Sequence, residues 1–298
     1  MSRGILLFAC NNEKIDYLKL AYCSSLMIRH HLGDDVGISI VTDPGTMKTS
    51  HSLVEKLKSA GVNIILAPSS TMSRPNVRQF SDTQYYSVSA EFINTNRMLA
   101  YDLSPYEETL LIDTDYLIQS DSLNKVWGSV EDVMINSSAT SLQGTSLSSQ
   151  EVRLNDFGIK MFWATVIYFK KCRRAEILFQ FVEHIKDHWD YYKLIYDFPH
   201  SLYRNDYAFS IAIHTLNGFL GNDEIKSLPS PSLLSSTDRD QLYDMKPNGE
   251  LIFFAQNEKE TWKYVVVKVG GLDVHCMNKF SLMYNLNKLI SFYGGGSV

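Results

Sequence analysis

Residues 5–43 read ILLFACNNEKIDYLKLAYCSSLMIRHHLGDDVGISIVTD. The opening ILLFA (5–9) is a continuous apolar run, as expected of a strand buried on both faces. A polar turn, Cys10-Asn11-Asn12-Glu13, follows. From Ile15 to Leu32, apolar side chains recur at Ile15, Leu18, Ala21, Tyr22, Leu26, Ile28 and Leu32, a helical period. Gly33 stands where helices prefer to stop. VGISIV (36–41) reads as a second strand, with a turn at Thr42-Asp43-Pro44-Gly45. The alternation continues with a short helix over 52–60, closed by Gly61, and a third strand, VNIILA (62–67).

Strand, helix, strand, helix, strand predicts an α/β fold built on a parallel sheet with right-handed crossovers. This is a nucleotide-binding type of half-fold. Its first turn, ACNNEK, lacks the GxGxxG fingerprint, so phosphates must be held by other means than in the usual dinucleotide site.

Further along, 68–87 is polar and turn-rich, and 89–103 reads as a helix with Phe92, Ile93, Met98 and Leu99 as candidate buried positions. Ser104-Pro105 stops it. Residues 109–112 form a fourth strand. The small polar residues of 136–150 predict a mobile loop. MFWATVIYF (161–169) is a strand, 174–189 a long helix, and 206–216 another. Residues 227–240 read as a loop, 251–254 and 264–269 as strands, and Gly294-Gly295-Gly296 as a flexible end.

The chain has 298 residues, 28 Lys and Arg against 33 Asp and Glu (net charge −5), and 45% hydrophobic residues, which excludes a disordered protein. The four cysteines (Cys10, Cys23, Cys172, Cys276) form no CxxC pair, which argues against a zinc ribbon or a small disulfide framework. No apolar run approaches the ~18 residues of a membrane span, and the N-terminal run is too short for a signal peptide. A reducing, cytoplasmic location is the expectation, the host cytoplasm if the protein is viral. A net charge of −5 gives no global electrostatic reason to bind nucleic acid.

The segment with chemistry is LLIDTDYLI (110–118). An apolar strand runs straight into Asp113 and Asp115, with only Thr114 between them. In open parallel sheets, ligands sit at the carboxyl ends of strands. If the strand continues, alternation places both carboxylates on one face. Two such groups repel unless a cation or protons intervene, and a hard divalent ion, Mg²⁺ or Mn²⁺, fits them and would bridge to phosphate oxygens.

On these features the chain resembles the GT-A fold glycosyltransferases, which transfer sugar from a nucleoside diphosphate. SPYEETLLIDTDYLI (104–118) is close to the PYDxxLYLDxD pattern of glycogenin-like retaining members, and Asn94, Arg97, Ala100 and Tyr101 lie on the segment upstream. The resemblance implies one catalytic domain over 1–298, with a nucleotide-binding half (1–120) and a second half (121–290) that holds the acceptor side and a C-terminal metal and phosphate segment. It gives Asp113 and Asp115 the Mn²⁺ or Mg²⁺, and places Ala9, Asn11, Asp43, Asn94 and Arg97 near the donor.

VHCMNKF (274–280) matches the family's C-terminal metal and phosphate segment, with His275 as a third metal ligand and Lys279 on the diphosphate. The family pattern is His-x-x-Gly-x-x-Lys; here the glycine is missing and the spacing shorter. Asp206, at the expected start of a helix in RNDYAF, takes the place of the acidic or amide residue that faces the donor sugar. Its other reading is a helix cap. The strand at 161–169 has Trp163-Ala164-Thr165 where the family has Asn-Ala-Gly.

The expected donor is a nucleoside-diphosphate sugar, with UDP the commonest in the family and guanosine not excluded by sequence. Transfer is expected with retention to an acceptor the sequence does not name. Phage-type enzymes that glycosylate modified pyrimidines in DNA provide a second acceptor reading, which the net charge does not favour. Another reading is a nucleotide-binding relative without activity. A sugar-phosphate nucleotidylyltransferase would need a Gly-rich first turn.

Other constellations carry less. His184 and His188 have zinc spacing without HExxH or an evident third ligand. The rings of Trp189, Tyr191, Tyr192, Tyr196 and Phe198 could stack on sugars or fill a core. Lys170-Lys171-Cys172-Arg173-Arg174 reads as a solvated helix start, and Asn136-Ser137-Ser138 is a glycosylation sequon that matters only on secretion.

Overall fold

A computed structural model describes residues 2–67, 76–83, 86–147, 153–154, 159–197, 202–220, 225–229 and 233–295. The chain opens with β1 (Arg3–Phe8), α1 (Tyr17–Leu32), β2 (Gly37–Thr42), α2 (Pro44–Thr49), α3 (His51–Ser59) and β3 (Asn63–Leu66). The Asp16 side chain caps α1 by accepting from the Lys19 N–H at 2.9 Å, and basic residues fill the last turn, as the helix dipole favours.

A hairpin follows, β4 (Val77–Ser81) against β5 (Ser87–Glu91), then α4 (Ala100–Leu103), β6 (Glu108–Ile112) and β7 (Tyr116–Leu117). Next come β8 (Val133–Asn136), β9 (Ala139–Ser141), β10 (Arg153–Leu154), β11 (Ile159–Lys160) and β12 (Trp163–Lys170). They are followed by α5 (Arg173–Asp187), α6 (Trp189–Ile195) and α7 (Asn205–Leu216). The chain closes with β13 (Leu233–Ser235), β14 (Gln241–Met245), β15 (Leu251–Gln256), β16 (Tyr264–Val269), β17 (Val274–His275) and α8 (Lys279–Phe292).

The architecture is α/β, as the sequence predicts. The main sheet runs β3-β2-β1-β6-β12-β8, parallel from β3 to β6, with β12 antiparallel to both its neighbours. Strand alternation feeds two cores. Ile5 and Leu7 of β1 face one cluster with α1, α3 and α8; Leu6 and Phe8 face another with α5 and α7. A second sheet, β7-β17-β13-β9, docks the C-terminal segment beside the end of β6.

Four expectations are corrected. The helix over 89–103 is instead β5, an irregular stretch, a 3-10 turn at Arg97–Leu99 and the short α4. The reason is side-chain competition for the backbone. Asn94 bonds both the N–H (2.8 Å) and the C=O (3.0 Å) of Cys10, and Asn12 donates to the Glu91 C=O at 2.8 Å. The stretch 136–147 is tied down rather than loose: β9 lies in it, Glu258 accepts from Ser141 and Thr145, and Gln143 donates to the Gln256 C=O at 2.6 Å. Residues 148–150 lie outside the described residues. The loop over 227–240 contains β13, and the predicted end at Gly295 packs against Leu26 and Ile290. Gly296 is outside the described residues.

Candidate active site

β6 ends at Ile112, and the Asp113 N–H donates to the Thr165 C=O of β12 at 3.0 Å, so the first carboxylate leaves the sheet in a fixed direction. Two residues on, Asp115 is buried at the start of β7. β17 pairs antiparallel with β7, setting His275 opposite Tyr116, and the Cys276 N–H donates to the Asp115 C=O at 2.8 Å. Asp273 fastens this junction by accepting from the N–H groups of Gln119 and Ser120, each at 2.8 Å. Ligand atoms of Asp113, Asp115 and His275 thereby lie within 4.8 Å of one another.

The imidazole is oriented. Its Nδ1 lies 3.4 Å from the hydroxyls of both Thr165 and Ser235, while Nε2 is 3.5 Å from Asp115 Oδ2. A proton on Nδ1 directed to those hydroxyls would leave the Nε2 lone pair for a metal ion. Two carboxylate oxygens and one imidazole nitrogen are a donor set suited to Mn²⁺ or Mg²⁺. His184 on α5 and His188 just past its end are exposed with rings 4.2 Å apart, and they belong to no such group among the described residues.

Cations balance the acids. Arg97, only 3% exposed, places its guanidinium 3.0 Å from Asp113 and also donates to the Ala164 C=O. Lys279 Nζ is 2.6 Å from Asp115 Oδ2. Lys279 opens α8, where the helix dipole disfavours a cation, and the Asp115 carboxylate offsets that cost. Burial alone would push the Asp115 carboxyl up, but Lys279 and His275 hold it well below the usual carboxylate range. Burial pushes the Asp113 carboxyl up, with Arg97 opposing and Asp115 assisting. A divalent ion between the two would favour the charged form of both.

Asp206 enters the same cavity from the first turn of α7. It does not cap its own helix. Its Oδ1 accepts from the Ala164 N–H of β12 at 2.8 Å, and its Oδ2 pairs with Arg204 at 3.0 Å. Asn94 also lines the cavity while clamping Cys10.

Ala9, Asn11 and Asp43 are not among the cavity's described lining residues. They sit at the ends of β1 and β2, engaged with their own surroundings. The Ala9 C=O accepts from Thr42 Oγ1 at 2.7 Å, Asn11 Oδ1 accepts from the Leu18 N–H at 2.9 Å, and Asp43 caps α2 through the Thr46 N–H at 3.0 Å.

Tyr17, Arg78, Thr165 and Arg204 are among the lining residues that sequence reasoning did not assign to the site. Tyr17 begins α1 and is 2% exposed, and its hydroxyl has no hydrogen-bond partner among the described residues. Burial raises its phenol well above the ordinary value. Arg78 comes from β4, whose place over the cavity depends on the hairpin's docking, which no local spacing encodes. Arg204 stands two residues before Asp206, and that adjacency was its one available signal. Of the aromatic run, Trp189 stacks on Tyr207 with centroids 6.3 Å apart, Tyr196 is buried, and Tyr191 is 60% exposed. Phe198 lies outside the described residues.

No protein-family model and no curated protein matches the sequence. Among solved structures, the chain is similar to the glycosyltransferase GlyE of Streptococcus pneumoniae TIGR4, at 12% identity and a TM-score of 0.42. That match covers 76% of this chain, which spans 45% of the length of the GlyE chain. It is also similar to the galactosyltransferase LgtC in complex with donor and acceptor sugar analogs, at 12% identity and a TM-score of 0.47, covering 98% of this chain and 95% of that one. A third similar structure is apo mouse xyloside xylosyltransferase 1, at 11% identity and a TM-score of 0.41, covering 74% and 84%.

Proposed function

We propose that this protein is a metal-dependent glycosyltransferase that moves a sugar from a nucleoside diphosphate, UDP in the first instance, to an acceptor hydroxyl with retention of anomeric configuration. The reading rests on one juxtaposition: Asp113, Asp115 and His275 meet Lys279, Arg97 and Asp206 in a single cavity at the carboxyl ends of a parallel sheet. Residues 1–120 supply the nucleotide-binding half, and 121–290 the acceptor-side half together with the C-terminal metal and phosphate segment, of one catalytic unit.

Asp113, Asp115 and His275 would hold Mn²⁺ or Mg²⁺. When bound, the ion supplies charge to the diphosphate and stabilises it as a leaving group. Lys279, against Asp115, is placed to turn its ammonium to the same phosphate oxygens. Arg97 keeps Asp113 aimed. Asp206, fixed between the Ala164 N–H and Arg204, presents a carboxylate to the donor sugar and orients it or offsets positive charge at the anomeric carbon. Inversion would require a free base for the acceptor hydroxyl. The lining carboxylates among the described residues are Asp113, Asp115 and Asp206, each already engaged, and this supports retention.

The test is incubation with UDP-sugars and Mn²⁺, with or without small glycoside acceptors. Release of UDP is followed, and the product anomer is read by NMR. Metal-dependent release with an α-product from an α-donor is expected. A β-product would overturn retention, and no release from any sugar nucleotide would overturn transfer.

A further inference from the structure

The cavity does not end at the metal cluster. It continues outward into an open groove between the β4 strand and the start of α7, and Arg78, Arg204 and Lys279 line both spaces. The groove's outer walls carry Phe80, Leu202 and Tyr207, with the Asp238 carboxylate tied to Ser81 at 3.0 Å on its far side.

The charges at this junction are not matched. Arg97 faces Asp113, Lys279 faces Asp115, and Arg204 faces Asp206. Arg78 forms no ion pair with a carboxylate among the described residues, although Asp206 and Asp113 lie near enough to favour its charge. It donates to the Tyr203 C=O at 2.8 Å and lies over the Phe92 ring at 4.0 Å. Its neighbour in charge is a second guanidinium, that of Arg204. Burial and this neighbour lower Arg78 to about 10, with Asp206 and Asp113 opposing them only in part. Enclosing a cation beside another cation is costly unless an anion joins them.

The pair is also rigid. Asn76 and Arg78 both donate to the Tyr203 C=O, and Arg204 lies over the Tyr207 ring at 5.2 Å. The hairpin and the start of α7 are thus clamped together with two planar cations held at the boundary. Such forks match the planar or tetrahedral oxygens of carboxylate and phosphate.

We infer that Arg78 and Arg204 form an oxyanion-binding subsite at the mouth between the inner cavity and the outer groove, and that the acceptor carries an anionic group, a phosphate monoester or a carboxylate, which docks there. The inference rests on the proposed transferase reading, in which the inner cavity holds the donor diphosphate. It adds the acceptor's chemical class. Phe80 and Tyr207 along the groove supply faces for the acceptor's sugar ring.

The experiment uses the whole chain with saturating UDP and Mg²⁺, followed by calorimetric titration with methyl phosphate, acetate or methyl glucoside. The same titrations are repeated without nucleotide. Methyl phosphate or acetate should bind the UDP·Mg²⁺ complex and the neutral glucoside should not; whichever anion binds more tightly names the group. Arg78→Gln should weaken anion binding at least tenfold while still taking up UDP·Mg²⁺, and Arg78→Lys should recover part of the loss.

Absence of anion binding to the complex, or equal binding by Arg78→Gln, overturns the subsite. Loss of UDP·Mg²⁺ binding in Arg78→Gln, with its unliganded melting temperature unchanged, overturns it too and assigns Arg78 to the donor. If none of UDP, GDP and CDP binds the wild type with Mg²⁺, the transferase reading fails, and the nucleotide-free titrations still decide whether the arginine pair binds anions.

Discussion

The two ends of the main sheet are built from the same strands and finished differently. At the amino ends, the Tyr106 ring lies across Gly4 and Gly37, which are register partners on β1 and β2. A Cβ on either glycine would come within 2.4 Å or 2.5 Å of that ring. Its hydroxyl is 2.8 Å from that of Ser39, and Glu108 accepts from Tyr168 at 3.0 Å and from the Gly128 N–H at 2.8 Å. At the carboxyl ends stand Asp113, Asp115, Asp206, His275 and four cations, together with two buried polar atoms, Tyr17 Oη and Asn205 Oδ1, that have no partner among the described residues. One end is closed by packing and satisfied hydrogen bonds. The other leaves charge and hydrogen-bonding capacity facing a cavity. The crossovers of a parallel sheet deliver loops to that end, which makes unsatisfied groups affordable there.

The contrast can be broken by substitution at each end. At the carboxyl end, Asp206→Asn should lower sugar transfer by about 100-fold with nucleotide affinity unchanged, because it removes charge facing the donor and keeps the side chain's shape. Steady-state kinetics beside nucleotide titration would measure this; unaltered turnover would remove Asp206 from the chemistry. At the amino end, Tyr106→Ala should cost about 2 kcal/mol of stability by opening space over Gly4 and Gly37. It should leave nucleotide binding untouched. A denaturant midpoint that does not move would show that the ring seals nothing.

A smaller effect comes from pH. Lys279 and His275 hold Asp115 below the ordinary carboxylate range in the folded protein despite its burial. The unfolded chain therefore binds the proton more readily. The resulting stability is present above an unfolded value of about 4 and is lost as pH falls through and below it. Asp113, shifted upward by burial, works in the opposite sense, so the acid limb should be shallow. Metal-free urea midpoints between about pH 6 and 3 should fall for the wild type and flatten in Asp115→Asn. An equally steep limb in the variant would place the titration elsewhere.

How much of this was legible in the sequence depended on distance along the chain. The elements β1, α1, β2, α3 and β3 and the strand before Asp113 follow from apolar period and punctuation, and they appear where that pattern puts them, whereas α2 begins inside the stretch that reads as a turn. The meeting of Asp113 and Asp115 with His275 was suggested by family resemblance; the register of β17 on β7 gives it a physical basis. Arg78 was not readable, because a hairpin of mostly polar residues carries no signal of what it covers. The helix expected over 89–103 failed for a related reason. Its apolar spacing is adequate, but Asn94 forms a long-range clamp on Cys10 that local propensity does not encode.

The central claim, that Asp113, Asp115 and His275 hold a divalent ion for a nucleoside diphosphate, is tested most directly by thermal shift. UDP, GDP and CDP would be titrated with and without Mn²⁺ on the wild type and on Asp115→Asn. The account predicts that one nucleotide, UDP first, raises the wild-type melting temperature by at least about 4 °C at a ligand concentration ~100-fold above its Kd, only when Mn²⁺ is present, and that the variant loses the rise. A nucleotide shift that is independent of metal and survives in Asp115→Asn, or no shift with any nucleotide, would contradict it.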